Sequence, residues 1–318
     1  MLCRTANELY WMARHIERAE NTARLLDVTY RMSLLPYEAI APGLAWAEPW
    51  AVPLVTSGLA TAFYERFQEL SAEIVLRYMI LDARNSSSIY CCLRAARESA
   101  RSVRGAITSE MYEDLNSAWL EMRNFDYDRI QATGVSEFLE WVKMRSHLFR
   151  GVTFGTMLRD EAYHFNRLGT HIERADNTAR ILDVKYHTLL PSAADVGGAV
   201  DYYQWSALLR SVSGFESYRK IYSDVITPRR VAELLILRRD MPRSLHSCMG
   251  FIHDTLEVLC DESSREIERA GGELYARLHY GKTDDIIKFG LHEYLMEFLE
   301  RISALGVEIN RYFLVPTY

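Results

Sequence analysis

Proline and glycine are scarce, at 8 and 16 of 318 residues. That excludes collagen-like and low-complexity chains and argues against a turn-rich all-β protein. Cysteine is sparse as well. Cys3, Cys91, Cys92, Cys248 and Cys260 form no CxxC pair, which argues against a zinc knuckle and a disulfide framework and suits reduced thiols in the cytoplasm. No long uninterrupted apolar run exists. The most apolar stretch, Gly43 to Tyr64, is broken by Glu48, Pro49 and Pro53, so no membrane span is expected. The start runs directly into a polar helical pattern, and no signal peptide is expected. Basic charge is not in excess: 37 Lys and Arg face 43 Asp and Glu, a net −6. This argues against nucleic acid as a partner. The one basic cluster, Arg229, Arg230, Arg238, Arg239 and Arg243, reads as a solvated helix face. The sequence also lacks a Gly-x-Ser-x-Gly elbow, a phosphate-cradling glycine loop and a dinucleotide fingerprint. No cofactor is expected, and any ATP chemistry would belong to a partner. A di-iron site needs paired Glu-x-x-His motifs. Only Glu161-x-x-His164 has that spacing, so no metal is expected.

What the chain does have is an internal repeat. The segment from His15 to Tyr30 returns 156 positions later, from His171 to Tyr186, with thirteen of sixteen residues identical. The same offset aligns Val75, Ile80, Leu81, Ser88 and Cys92 with Val231, Ile236, Leu237, Ser244 and Cys248. It also aligns Gly58 with Gly214, Glu137 with Glu293 and Arg145 with Arg301. The length alone suggests about two domains. The repeat sharpens this to two tandem copies, residues 1–156 and 157–318, expected to be fused into one body.

Both copies read as helical throughout. Leu9, Met12, Ile16, Ala19, Ala23, Leu26 and Tyr30 step by three and four, and Phe165 to Tyr186 repeats that seam. The fold class expected is all-α, a helical bundle of two pseudo-two-fold related copies. Further helices are expected at about 112–124, 135–149, 243–261, 262–279 and 284–313, with one following Ser88 through Arg104. Pro36 and Pro191 would stop the motif helices, and Pro53 and Pro228 suit first turns. The second motif helix is expected to begin before Glu161, with a short helical link between copies. Alanines at 19 and 23, and at 175 and 179, allow two backbones to approach closely. The symmetry of a duplication makes mutual packing of the motif helices the simplest arrangement.

Polar residues recur along with the seam: His15, Glu17, Arg18, Asn21, Thr22, Arg24 and Asp27 in the first copy. A solvated face needs charge, not fixed identities, so this retention points to specific hydrogen-bond partners. Two readings compete, a buried polar network fixing a helix crossing and a site for a ligand or partner. Glu20 with Arg24, and Asp176 with Arg180, can pair at i, i+4 as exposed ion pairs.

The doubled Ile-Glu-Arg-Ala-(Glu/Asp)-Asn-Thr-Ala-Arg-(Leu/Ile)-Leu-Asp run resembles the alpha-E family, an all-helical bacterial domain named for its Glu-Arg motif. The approach Thr156-Met157-Leu158-Arg159-Asp160-Glu161 and the Leu168-Gly169 pair before His171 are similar to that family too. Members are encoded beside circularly permuted ATP-grasp ligases, with transglutaminase-like proteins and proteasome-like hydrolases in the same neighbourhoods. The resemblance therefore implies a place in a peptide-ligating or peptide-modifying system. Carried onto this chain, the motif is Glu17, Arg18, Glu173 and Arg174. A family carboxylate just upstream would be Glu161, whose aligned position is Thr5. The candidate binding residues are thus His15, Glu17, Arg18, Asn21, Arg24, Glu161, His171, Glu173, Arg174, Asn177 and Arg180. Three functions are open. One is a non-catalytic subunit binding an ATP-grasp-type ligase or a peptide carboxylate through Arg18, Arg24, Arg174 and Arg180. The second is an enzyme with Glu17 or Glu173 as general base. The third is a dimerisation module, in which the partner is a second copy.

Overall fold

The computed structural model describes residues 1–34, 49–188 and 199–315. Among them there is no strand, and sixteen α-helices with two short π-helical turns account for the regular structure. The first half holds α1 (Cys3–Ser33), α2 (Ala51–Thr56), α3 (Ala60–Tyr64), α4 (Ala72–Ile80), α5 (Ile89–Ser102), α6 (Ser109–Met122), α7 (Tyr127–Thr133) and α8 (Val135–Thr156). Then come α9 (Glu161–Thr188), α10 (Ala199–Ser211), α11 (Phe215–Tyr222), α12 (Pro228–Ala232), α13 (Leu245–Leu259), α14 (Arg265–His279), α15 (Thr283–Phe289) and α16 (Leu291–Ile309). No described helix is long and apolar enough to cross a membrane.

The two motif helices, α1 and α9, pack on one another and form the axis of the molecule. The helices α5 and α8 lie against α1, and α13 and α16 lie against α9. Burial therefore runs around α1 and is not confined to one stripe: Leu9, Met12, Ala13, Ala19, Ala23 and Leu26 are buried, and so are Glu17, Glu20 and Asn21. A single apolar core joins residues from Ala6 to Leu314. The two backbones come close where Gly169 of α9 meets the backbone of Tyr10 on α1. A Cβ built at Gly169 would collide with the Tyr10 carbonyl oxygen.

Local signals place the helix ends. Ser88 and Ser244 accept from the backbone N–H of Cys91 and Ser247 at the starts of α5 and α13. Each serine hydroxyl also donates to a carbonyl six residues upstream, Asp82 and Arg238 respectively. Thr227 caps α12, whose first residue is Pro228.

Three expectations need correction. The second motif helix starts at Glu161 and no earlier, because Asp160 accepts from the backbone N–H of Ala162 and Tyr163. The link from α8 is accordingly a short non-helical turn. The single helix expected at 284–313 is two, divided at Gly290, whose φ of 107° is open to glycine. Gly134 makes the same break between α7 and α8 at φ 111°. The stops at Pro36 and Pro191 lie outside the described residues.

The Gly169 contact yields the first prediction. Gly169→Ala should force the central helices apart and destabilise by on the order of 1–3 kcal/mol, read by chemical denaturation. Unchanged stability would mean that the backbones do not meet there.

A candidate site beside the Glu-Arg crossing

The motif residues of each central helix pair with those of the other. Arg174 grips Glu17 with two parallel bonds, Nε to Oε1 at 2.9 Å and Nη2 to Oε2 at 2.8 Å. Arg18 grips Glu173 in the same way, at 2.6 and 3.0 Å. The exchange is reciprocal, and Glu17, Glu173 and Arg174 are all buried. Fork-to-fork pairs of this kind fix orientation as well as adding energy.

The surroundings of the two pairs differ. Around Glu17 the space is filled by protein. Arg243 forms an ion pair with Glu17 Oε1 at 3.0 Å and donates to Glu20 Oε1 at 2.6 Å and to Asn21 Oδ1 at 2.9 Å. Arg150 reaches Glu17 Oε2 at 3.1 Å and also Glu20. Ser146 donates to Glu20 Oε2 at 2.6 Å, and Arg24 donates to Glu20 Oε1 at 2.8 Å. Glu20 is wholly buried, so its i, i+4 pair with Arg24 is no exposed surface bridge.

Around Glu173 the protein leaves a pocket of about 620 Å³, within the range of small-ligand sites. Arg14, Arg18, Asn21, Glu173, Asn177 and Arg180 contribute to its wall, together with Asp176. Arg14 adds a bond from Nε to Glu173 Oε2 at 2.8 Å and stacks on Trp11. Arg180 pairs with Asp176 at 2.8 and 3.1 Å. Three guanidiniums thus face two carboxylates. Two buried polar atoms of lining residues, Asn21 Nδ2 and Thr56 Oγ1, have no hydrogen-bond partner among the described residues. Native interiors seldom leave such groups unpaired.

The family whose description reads "a predicted alpha-helical domain with a conserved ER motif" matches residues 1–314. The chain belongs to the Alpha-E family. Similar curated sequences are uncharacterized proteins of Mycobacterium bovis and Mycobacterium tuberculosis, each 24% identical. Each alignment takes 95% of this chain but 35% of the relative, so the Alpha-E chain spans about a third of the length of these relatives. No solved structure matches.

In this Alpha-E chain the candidate residues fall into three groups. Glu17, Arg174 and Arg24 belong to the filled cluster. Arg18, Glu173, Asn177 and Arg180 border the pocket, and Asn21 touches both. The other three lie elsewhere. Glu161 is exposed, with its carboxylate 2.7 Å from the Met1 amine. His15 packs near Trp11, and His171 is stacked on Phe251 at 4.4 Å. The residues that were not anticipated are Arg14, Arg150 and Arg243. Arg14 was legible, since it shares a helix face with Arg18 at i, i+4. Arg150 and Arg243 arrive from other elements and carry no local signal. The reading of Arg243 as part of a solvated basic face is wrong, because its side chain is 7% exposed.

Electrostatics follow from this packing. Burial opposes the charge on Glu173, but Arg18 and Arg14 outweigh it and hold the carboxyl down at about 2. Burial likewise opposes charge on Glu17, and Arg174 and Arg243 keep it below the usual range. Carboxylates held this way are weak bases at neutral pH. Burial, helped by Arg18, lowers His15 from 6.5 to about 4. Burial, then Arg174 and Arg167, holds His171 well below 6.5. The thiols of Cys92 and Cys248 are pushed up by burial to about 12, which leaves them inert.

A pH profile tests these assignments. Both histidines fold neutral, so their stability contribution is present above pH 6.5; that of His15 is lost as pH falls from 6.5 toward about 4, and that of His171 is lost progressively below 6.5. Glu173 adds loss between 4.5 and about 2. Each group steepens the fall by about 1.4 kcal/mol per pH unit inside its window. His15→Gln should flatten the profile between pH 6.5 and 4 in denaturant titrations. An unaltered slope would show that His15 is charged in the folded protein.

Proposed function

We propose that this chain is a non-catalytic helical subunit of a bacterial ATP-grasp-associated peptide-ligating or peptide-modifying system, and that its pocket holds a peptide segment of a substrate or partner. The observation that carries this reading is the pocket itself. It is walled by motif residues, with the charged and polar side chains of Arg18, Glu173, Asp176, Asn177 and Arg180 around it. The family neighbourhood supplies the ligase, and an ATP-consuming partner goes with a cytoplasmic setting.

The competing general-base reading gains nothing from the geometry. Glu17 and Glu173 are each claimed by two or more guanidiniums, and their charge is held too firmly for proton abstraction. Arg18, Arg24, Arg174 and Arg180, the candidates for carboxylate capture, all have carboxylate partners within the chain.

The proposal includes an architecture: two tandem copies, 1–156 and 157–318, related by a pseudo-two-fold axis and fused around α1 and α9. Helix starts support it. Those of α5, α6, α7 and α8 are Ile89, Ser109, Tyr127 and Val135, and those of α13 to α16 are Leu245, Arg265, Thr283 and Leu291, each 156 residues later. The serine caps and the reciprocal Glu-Arg exchange obey the same relation.

Gly306 offers a clean test, because a Cβ there meets nothing within 4 Å and the residue lines the pocket. Gly306→Trp should leave Tm within about 2 °C while lowering peptide-product output at least tenfold in cells that also express the neighbouring ATP-grasp protein. The unaltered chain alone should turn over no peptide. Full output from the variant, or turnover by the isolated chain, would overturn the proposal.

A further inference from the structure

The filled cluster is a template for what the pocket accepts. The guanidinium of Arg243 is held by an ion pair with Glu17 Oε1 and by hydrogen bonds to Glu20 Oε1 and Asn21 Oδ1. At the 156-residue offset their counterparts are Glu173, Asp176 and Asn177, and all three line the pocket. The counterpart of Arg243 itself is Ser87. The register at this point is fixed by the neighbouring caps, Ser88 and Ser244, which make matching bonds.

The bond inventory narrows the difference to one group. Glu17 Oε1 takes a hydrogen bond from Arg174 and an ion pair with Arg243, and Oε2 takes hydrogen bonds from Arg174 and Arg150. Glu173 Oε2 takes Arg18 and Arg14, so Arg14 does there what Arg150 does for Glu17. Glu173 Oε1 takes Arg18 alone among the described residues. Each Asp176 oxygen accepts one bond from Arg180, and Asn177 has no side-chain hydrogen bond among the described residues. The position left open is that of the Arg243 guanidinium. Small residues keep it open: Ser87, Ser303 and Gly306 replace Arg243, His147 and Arg150 at the offset, and each lines the pocket.

We infer that the pocket binds an arginine side chain of a peptide, its guanidinium held by Glu173, Asp176 and Asn177 as Arg243 is held by Glu17, Glu20 and Asn21. Charge permits it. In the filled cluster Arg24, Arg150, Arg174 and Arg243 face Glu17 and Glu20, an excess of two positive charges. In the pocket Arg14, Arg18 and Arg180 face Glu173 and Asp176, an excess of one. One bound guanidinium brings the two clusters to the same balance.

This inference rests on the pocket reading above, and it can fail separately. Isothermal titration with N-acetyl-arginine methylamide should give saturable binding. The citrulline analogue has the same shape without the charge and should bind at least tenfold more weakly, and succinate should not compete. Ser87→Arg should supply the missing guanidinium from within the chain. We expect it to raise Tm by about 2 °C or more and to abolish binding of the arginine probe. If that variant folds poorly, Asp176→Asn on the pocket rim provides the second arm, with affinity reduced at least tenfold. No binding of the arginine probe to about 10 mM, equal binding of the citrulline analogue, or unaltered binding by Ser87→Arg or by Asp176→Asn would overturn the inference. Should the probe fail while Gly306→Trp still blocks product output, the guanidinium assignment falls and the pocket reading stands. Arginine binding by the unaltered chain, together with full output from Gly306→Trp, would leave the guanidinium assignment standing and remove the pocket from the ligation system.

Discussion

Everything in this molecule is arranged around two buried, bidentate ion pairs exchanged between two central helices. Glu17 with Arg174 and Glu173 with Arg18 place three charges where solvent is nearly absent and a fourth, Arg18, on the pocket wall. Desolvation makes such groups expensive unless every lone pair and proton is used. The structure meets that demand by drawing in Arg14, Arg150 and Arg243 and by burying Glu20 alongside. The consequence is specificity of crossing. Two helices with small residues at their contact could slide or rotate, whereas two fork-to-fork pairs fit one register only. Gly169 against Tyr10 sets the depth of the approach, and the ion pairs set its phase.

The two Glu-Arg pairs sit in different surroundings. Matching motifs impose matching carboxylates on both sides of the crossing, but the second ring of residues differs. Long cations at 150 and 243 close one side, whereas small residues at 306 and 87 open the other. On one side the motif residues belong to a filled ionic cluster, and on the other they wall a pocket with their charges fixed in place. The two readings of the motif that the sequence left in competition, polar network and ligand site, are compatible for that reason.

Much of the fold was legible because its determinants are local or periodic. The three-and-four stepping of Leu9 through Tyr30 predicted helix, the alanines predicted close packing, and the repeat pointed to the partner. The error at Gly290 was a missed local signal, a glycine inside an otherwise helical pattern. The site was less legible. Arg243 stands among other arginines and has no sequence feature that separates a buried guanidinium from a solvated one. Its burial depends on a turn before α13 being laid against α1. The exposed position of Glu161 and the aromatic packing of His15 and His171 were hidden for the same reason, since side-chain direction at these positions is a tertiary property.

The central claim is that Glu17 and Arg174 are energetically one unit across the crossing. A double-mutant cycle with Glu17→Gln and Arg174→Met, read by chemical denaturation at pH 7, measures that directly. The account predicts a coupling of about 2–3 kcal/mol, with the double variant losing less than the sum of the single ones. Simple additivity within about 0.5 kcal/mol would contradict it.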